Sequence, residues 1–376
     1  MDDFDFFEKN PPETHHNSED KKIAEISKTG YQFLKENKIS EAIDCFSKIL
    51  LMDENNNYAL VGMGDAYRKS GSAHDAIKYY QRCLSNHPQN NYALFGLANC
   101  YKAFGQFQKA IEIWEQYLAY DDKNITVLTR VADAYRKVRD FDKSKYIYKR
   151  VLEMEEDNPY AIIGLGHLHY DFKNYNDALF YLEKMLKLGL DNVDIRVLTS
   201  IGNCHRKLRT FDQGIPYFEA AQKRENRNFY ALFGLADCYR GMNCLEEALV
   251  YYNQIIKQDS KNKMILSRIG DVYRNLNTLD KAKEYYDKAL NIEYDTYAIL
   301  GIAILDKING KYEEAMSSLR RLLQQDNKNY RLYVEISDCY LKMGETRKAI
   351  DTLESFQRFG KKCQVITDLL NEINKK

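Results

Sequence analysis

Apolar and polar positions follow a helical period that restarts about every 34 residues. Within each unit the fourth and seventh places are apolar (Leu94, Leu97). The eleventh is aromatic (Tyr67, Tyr101, Tyr135, Tyr239, Tyr273, Tyr340), and the twenty-fourth is bulky (Tyr80, Trp114, Tyr148, Phe218, Tyr252). Small residues hold the eighth place (Gly30, Gly64, Ala98, Ala132, Gly166, Gly202, Ala236, Gly270, Ala303, Ser337). They also hold the twentieth (Ala42, Ala76, Ala110, Ser144, Ala178, Gly214, Ala248, Ala282, Ala315, Ala349). Small residues at these two places let a pair of antiparallel helices approach closely, and the bulky positions fill the space between neighbouring pairs. The pattern predicts ten helix pairs, at 23–56, 57–90, 91–124, 125–158, 159–194, 195–228, 229–262, 263–295, 296–329 and 330–363.

This register resembles the tetratricopeptide repeat over 23–363. It departs where the family's proline at the thirty-second place survives only as Pro88, and where the fourth place never carries tryptophan. The resemblance implies an all-α, right-handed superhelical solenoid. Residues 364–376 place Val365, Ile366, Leu369, Leu370 and Ile373 at helical spacing, which predicts a helix capping the last unit. Residues 1–22, with Pro11, Pro12 and many charges, read as a disordered acidic and aromatic tail.

Composition sharpens this picture. Charged residues make up 29% and hydrophobic ones 44%, enough for a continuous core, while 55 basic and 55 acidic side chains cancel. With no net charge, any attraction to nucleic acid or membrane has to be local. No apolar run reaches the length of a membrane span, and Met1-Asp2-Asp3-Phe4-Asp5 is acidic where a secretory leader is basic. Cys100, Cys204, Cys238 and Cys339 occupy the tenth place, where other units carry Ala66 or Ala134, so they read as small packing residues too far apart for bridges. A cytoplasmic location is expected. The abundance of Lys, Asn, Ile and Tyr points to an AT-rich bacterial genome.

A second period overlies the first. Odd units open alike, with Tyr92-Ala93-Leu94-Phe95-Gly96, Tyr160-Ala161-Ile162-Ile163-Gly164, Tyr230-Ala231-Leu232-Phe233-Gly234 and Tyr297-Ala298-Ile299-Leu300-Gly301, whereas even units carry Arg130, Ser200 or Arg268 at the sixth place. The module therefore reads as a pair of units: 91–158, 159–228, 229–295 and 296–363. The resemblance implies that places 2, 5, 6, 9, 12 and 13 face a concave groove, so these differences fall on the surface that it implies for binding. Place 12 is basic (Lys102, Arg136, Arg206, Arg240, Arg274) and place 9 is acidic or amide (Asn99, Asn203, Asp237, Asp271), with His167 at place 9 of the fifth unit. A carboxylate and a cation three apart on one helix form an ordinary surface pair. Asn99 and Asn203 remove that carboxylate, which predicts that Lys102 and Arg206 turn to a ligand. Tyr92, Phe95, Tyr160, Tyr230 and Phe233 are the predicted apolar anchors, and the sixth-place glycines are expected to leave backbone open beside them.

Other chemistry is sparse. His167 and His169 lie two apart and so point to different faces of a helix, and His169 and His205 stand at the aromatic eleventh place, which favours packing over metal binding. No phosphate loop, metal motif or nucleophile elbow occurs, so neither cofactor nor catalysis is expected. The family's clamp for acidic chaperone tails is also missing. Its positions hold Phe95, Asn99, Arg130, Tyr160 and Gly164 in one frame and Thr199, Asn203, Gly234, Met264 and Arg268 in another. The leading reading is a non-catalytic scaffold holding a peptide or helix of a partner protein. The alternatives are single-stranded RNA binding along the Arg, Lys and Tyr residues, against which the interleaved carboxylates count, and the targeting subunit of a separate enzyme. Two further expectations are a hinge near Gly189, Gly214 and Pro216, and self-association through the tail Asp2-Asp3-Phe4-Asp5-Phe6-Phe7-Glu8.

Overall fold

The computed structural model describes residues 18–188, 194–358 and 363–374, so most of the expected tail and Gly189 of the expected hinge lie outside the described residues. Residues 18–22, assigned to the tail by sequence, are helical.

The chain divides into two compact units, Met1–Asn192 and Val193–Lys376. In the first, helix pairs run α1 (Ser18–Lys35) with α2 (Ile39–Met52), α3 (Asn57–Lys69) with α4 (Ala73–Asn86), α5 (Asn91–Ala103) with α6 (Phe107–Leu118), α7 (Ile125–Lys137) with α8 (Phe141–Met154), and α9 (Pro159–Asp171) with α10 (Tyr175–Lys187). In the second they run α11 (Ile195–Leu208) with α12 (Phe211–Arg224), α13 (Phe229–Gly241) with α14 (Leu245–Gln258), α15 (Lys263–Asn275) with α16 (Leu279–Ile292), α17 (Thr296–Ile308) with α18 (Tyr312–Gln325), and α19 (Tyr330–Lys342) with α20 (Thr346–Gln357), followed by α21 (Gln364–Ile373). Among the described residues, every regular element is a helix. Each packs on its sequence neighbour within its unit, which makes each unit an α-solenoid of the predicted kind.

Local chemistry fixes the ends of these helices. Asn56, Asn90, Asn124, Asn158, Asn228 and Asn262 cap the first helices of their repeats, each accepting from the N–H three residues on, which satisfies a donor that would otherwise have no partner. At the other end, place 15 of all ten units has a positive φ. Four of these residues are glycine, but Arg139 (67°), Lys173 (66°) and Arg209 (64°) hold the left-handed conformation against the steric preference of an L side chain.

The core is built around the residue at place 24. Phe46, Tyr80, Tyr148, Phe218 and Tyr286 are fully buried, and each ring lies against the sixth-place glycine of the following repeat. A Cβ on Gly96 would sit 2.3 Å from Tyr80 Cζ, and one on Gly234 would sit 2.2 Å from Phe218 Cε1; Gly62, Gly164 and Gly301 are equally close to their rings. The expectation that these glycines leave groove backbone accessible is therefore corrected. An aromatic ring from the preceding repeat fills that space, and the missing side chain lets successive first helices close on one another. Accordingly α1 packs directly on α3, α3 on α5, α7 on α9, α11 on α13 and α15 on α17. Where Arg130, Arg268 or Glu335 replaces glycine, the approach of α5 to α7, of α13 to α15 and of α17 to α19 is looser. From α3 onward the tightly coupled pairs thus join an even repeat to the next odd one, out of step by one unit with the modules read from sequence.

At place 11, His169 and His205 take the part of tyrosine, as expected. His169 stacks on Tyr181 (5.5 Å between ring centres) and His205 on Tyr217 (5.8 Å), just as Tyr239 stacks on Tyr251 (5.6 Å). Cys100, Cys204, Cys238 and Cys339 are buried free thiols, and burial pushes Cys100 and Cys339 up to about 11 and Cys238 to about 12. Pro216 lies inside α12, which continues past it, and Gly214 meets Gly202 and His205. On α21, Ile366 and Leu370 pack with Tyr333, Leu353 and Phe356.

Candidate functional site

The polar residues of the first helices sort into a network that is mostly internal. At place 9, Asp65 accepts from Tyr80 Oη at 2.7 Å, Asp133 from Tyr148 Oη at 2.7 Å, and Asp271 from Tyr286 Oη at 2.9 Å. The same carboxylates meet the place-12 arginines of their own helices: Arg68 at 3.5 Å, Arg136 at 3.3 Å and Arg274 at 3.2 Å. Arg136 also reaches Asp171 of α9 at 2.5 Å. The ladder read as a ligand surface is therefore largely the ordinary intrahelical pair, with the aspartates holding core tyrosine hydroxyls as well.

One expectation fails outright. Arg206 was predicted to turn to a ligand because Asn203 stands in place of an acid, yet its Nε donates to Asn203 Oδ1 (3.2 Å) and its Nη1 donates to Asp237 of the next repeat (2.5 Å). Asp237 accepts from Arg240 as well (2.6 Å) and from Tyr252 Oη (3.3 Å). Burial alone would push this carboxyl up, but Arg240 and Arg206 outweigh it and hold its pKa below the ordinary carboxylate value. In the same way Lys307 bridges Glu335 (2.7 Å) and Asp338 (2.6 Å) of the following repeat. The signal was present in the sequence, since a place-12 cation and the next place-9 acid recur 31 residues apart.

The predicted aromatic anchors separate into two kinds. Phe95 is only 7% exposed and lies under the Arg130 guanidinium, 5.1 Å from its ring centre. Phe233 is half-buried under Arg206 at 5.4 Å. Phe95 presents little surface for a peptide side chain, so its anchor assignment is withdrawn, whereas Phe233 keeps part of its ring exposed. The place-2 tyrosines differ: Tyr160, Tyr230 and Tyr297 are 55%, 66% and 69% exposed, and Tyr92 is half-buried. His167, Asn203 and Arg268 are half-buried on the same register.

A cleft of about 100 Å³ opens where α5 and α7 stand apart. It is lined by Lys102, Phe107, Arg130, Asp133, Ala134, Arg136 and Lys137, four cations against one carboxylate. One turn before Lys102 on α5 stands Asn99, whose Nδ2 is buried with no acceptor among the described residues; the same holds for Nε1 of the fully buried Trp114 on α6. Asn99 and Trp114 occupy the places filled by Asp237 and Tyr252 four repeats on, where the pair bonds to each other. No group of metal-ligating side chains forms among the described residues, and none of their helices is long and apolar enough to cross a membrane.

Comparison with known proteins agrees with this architecture. Tetratricopeptide-repeat models match residues 68–132, 308–364, 200–262 and 265–296. A model of anaphase-promoting complex subunit 5 matches 138–212. No curated protein sequence matches the chain. Among solved structures, a tetratricopeptide repeat protein from Parabacteroides merdae superposes with a TM-score of 0.54 at 15% identity, covering 66% of this chain and 98% of its own. Yeast Tom70 is similar at a TM-score of 0.46 and 15% identity, covering 95% and 96%. The Pseudomonas aeruginosa pilF protein gives 0.49 at 13% identity, covering 57% and 97%. Register, helix pairing and sequence models agree, and the chain belongs to the tetratricopeptide-repeat family.

Proposed function

We propose that this chain is a non-catalytic, cytoplasmic scaffold that holds a peptide or helical segment of a partner protein against the exposed face of its first helices. The observation that carries the reading is the set of solvent-exposed tyrosines at place 2, Tyr160 in one unit and Tyr230 and Tyr297 in the other. A large aromatic with a polar tip left in water is the residue type that carries binding energy once covered. Most of the arginines that an RNA backbone would need are already engaged by aspartates, which favours a protein ligand over a nucleic acid.

Affinity capture on the tagged full-length chain, compared with the triple variant Tyr160→Ala, Tyr230→Ala and Tyr297→Ala, tests the proposal. Exposed tyrosines contribute little to folding, so the variant should melt like the parent while losing its captured partner at least ten-fold. A partner retained at full yield, or one captured only through ribonuclease-sensitive material, sinks it.

A further inference from the structure

We propose that Arg268 and the exposed side chains around it, Tyr230, Met264 and Tyr297, form a docking site on the second unit for an acidic, phenylalanine-bearing segment, and that the occupant is residues 2–8 of a second copy of this chain. The inference rests on the scaffold reading and deepens it, naming residues and a ligand for part of the same face. Three observations carry it.

The first is a cation that the fold does not use. Around it the cations of the first helices are taken up by carboxylates: Arg206 and Arg240 meet Asp237, Arg274 meets Asp271, and Lys307 and Arg331 meet Glu335. Arg268, at place 6 of α15, is half-buried and has no hydrogen bond, ion pair or ring contact among the described residues. Its counterpart shows why. Arg130, at place 6 of α7, lies over the Phe95 ring, whereas Phe233, which stands where Phe95 stands, is already covered by Arg206. A half-buried guanidinium without a partner has lost water and gained nothing in return, and a carboxylate that reaches it forms a charge-assisted pair.

The second is the apolar row beside that charge. Places 2 and 6 lie one turn apart on one helix face, so Met264 shares the face of Arg268 on α15, and Tyr230 and Tyr297 hold the same place on α13 and α17. Their exposures are 40%, 66% and 69%. Large uncovered side chains next to a lone cation supply both the apolar anchors and the charge that an acidic, aromatic segment needs.

The third is the segment. Residues 2–8 hold Asp2, Asp3, Asp5 and Glu8 together with Phe4, Phe6 and Phe7, and no base. An extended chain rises about 3.3 Å per residue, so Phe4 and Phe7 stand about 10 Å apart, close to the roughly 8–10 Å between packed helix axes, with Asp5 between them to meet Arg268. The segment precedes α1 of the first unit and the site lies in the second, and a second copy supplies the segment whatever the disposition of the two units. Such a contact is heterologous, so mass grows with concentration.

The test mixes two full-length variants. One carries Asp2→Asn, Asp3→Asn, Asp5→Asn and Glu8→Gln and keeps the site without the segment; the other carries Arg268→Glu and keeps the segment without the site. By light scattering each alone should stay monomeric at concentrations where the unaltered chain gains mass, and an equimolar mixture should form the heterodimer. A labelled synthetic peptide of residues 1–12 should bind the first variant saturably in fluorescence anisotropy, and at least ten-fold more weakly once Arg268→Gln is added, with an unchanged melting temperature separating a lost contact from a lost fold. An unaltered chain that stays monomeric, a mixture without complex, or peptide binding indifferent to Arg268→Gln each overturns the proposal. A partner captured through Tyr160, Tyr230 and Tyr297 by a chain that takes no peptide overturns this site and leaves the scaffold reading; self-association with no captured partner does the reverse.

Discussion

The stretches 91–158 and 229–295 are built on the same register, from Tyr92 and Tyr230 at their starts to Arg136 and Arg274 at the end of their third helices, yet they differ in the polar junction at places 9 and 24 of their first repeats. In 229–295 the acid Asp237 collects Arg206, Arg240 and the Tyr252 hydroxyl, so the cations are consumed by the fold. In 91–158 the corresponding side chains are Asn99 and Trp114, which cannot form that knot, and a basic cleft remains. Two substitutions at places 9 and 24 thus separate a repeat whose acid gathers two arginines and a tyrosine hydroxyl from one in which that junction is absent. A repeat protein can diversify its surface in this way without altering a single helix boundary.

Breaking the knot should produce the largest effect. Asp237→Asn removes the charge shared by two arginines and is expected to cost about 3 kcal/mol in urea unfolding, whereas Asn99→Asp in the other stretch should change stability by less than about 0.5 kcal/mol; equal costs would erase the contrast. Acid should act in the same direction. The carboxyl of Asp237 is held below its ordinary value, so its contribution is complete above about pH 4, where an unfolded aspartate is ionised, and is lost as the pH falls through the lower folded value. Asp237→Asn should abolish that part of the acid sensitivity, as thermal melts from pH 5 to pH 2 would reveal.

Closing the sixth place comes next. Gly96→Ala and Gly234→Ala drive a methyl into Tyr80 and Phe218 and should each cost about 2 kcal/mol, while Arg268→Ala, where the helices already stand apart, should cost well under 1 kcal/mol. Comparable melting temperatures for the three variants would show that the glycines do not set the spacing.

A smaller effect separates the stacked rings. Burial lowers the pKa of His169 below the usual histidine value, with Asp177 opposing and Lys145 and Lys149 assisting. Its neutral form therefore stabilises the fold fully above about pH 6.5, and that contribution declines as the pH drops towards the lower folded value. His169→Tyr, the residue other repeats use, should raise stability more at pH 5 than at pH 8 in thermal melts; a gain independent of pH would contradict this account.

The smallest effect is at the turns. Lys173→Gly relieves a left-handed lysine and should raise stability by about 0.5–1 kcal/mol. Loss of stability in the melt would show that the lysine side chain contributes more than its backbone strain costs.

Fold and site were legible to different depths. Small residues at places 8 and 20 and rings at places 11 and 24 are visible in any one repeat, because the contacts they serve are local to a helix pair. What stayed hidden depends on the neighbouring repeat. Gly96 looks like open groove until Tyr80 leans in from the preceding unit, and Arg206 looks available until Asp237 arrives from the following one. The partner three residues along the same helix is visible within one repeat, whereas the carboxylate 31 residues away is not. The capping asparagines, Asn56 to Asn262, recur at the unit boundary and could have been found by the same periodicity.

The uneven closure of the first helices bears on how each unit responds to force. Where a glycine admits the neighbouring ring, as between α3 and α5 or between α11 and α13, the joint is locked by interpenetration and resists bending. Where an arginine stands at the sixth place, as between α5 and α7 or between α13 and α15, the joint has slack. Under tension or on wrapping a ligand, deformation concentrates at the slack joints, and one of them carries the basic cleft. Stiff segments joined by compliant ones behave as a hinged ruler, and the spelling of one position per repeat sets where the ruler folds.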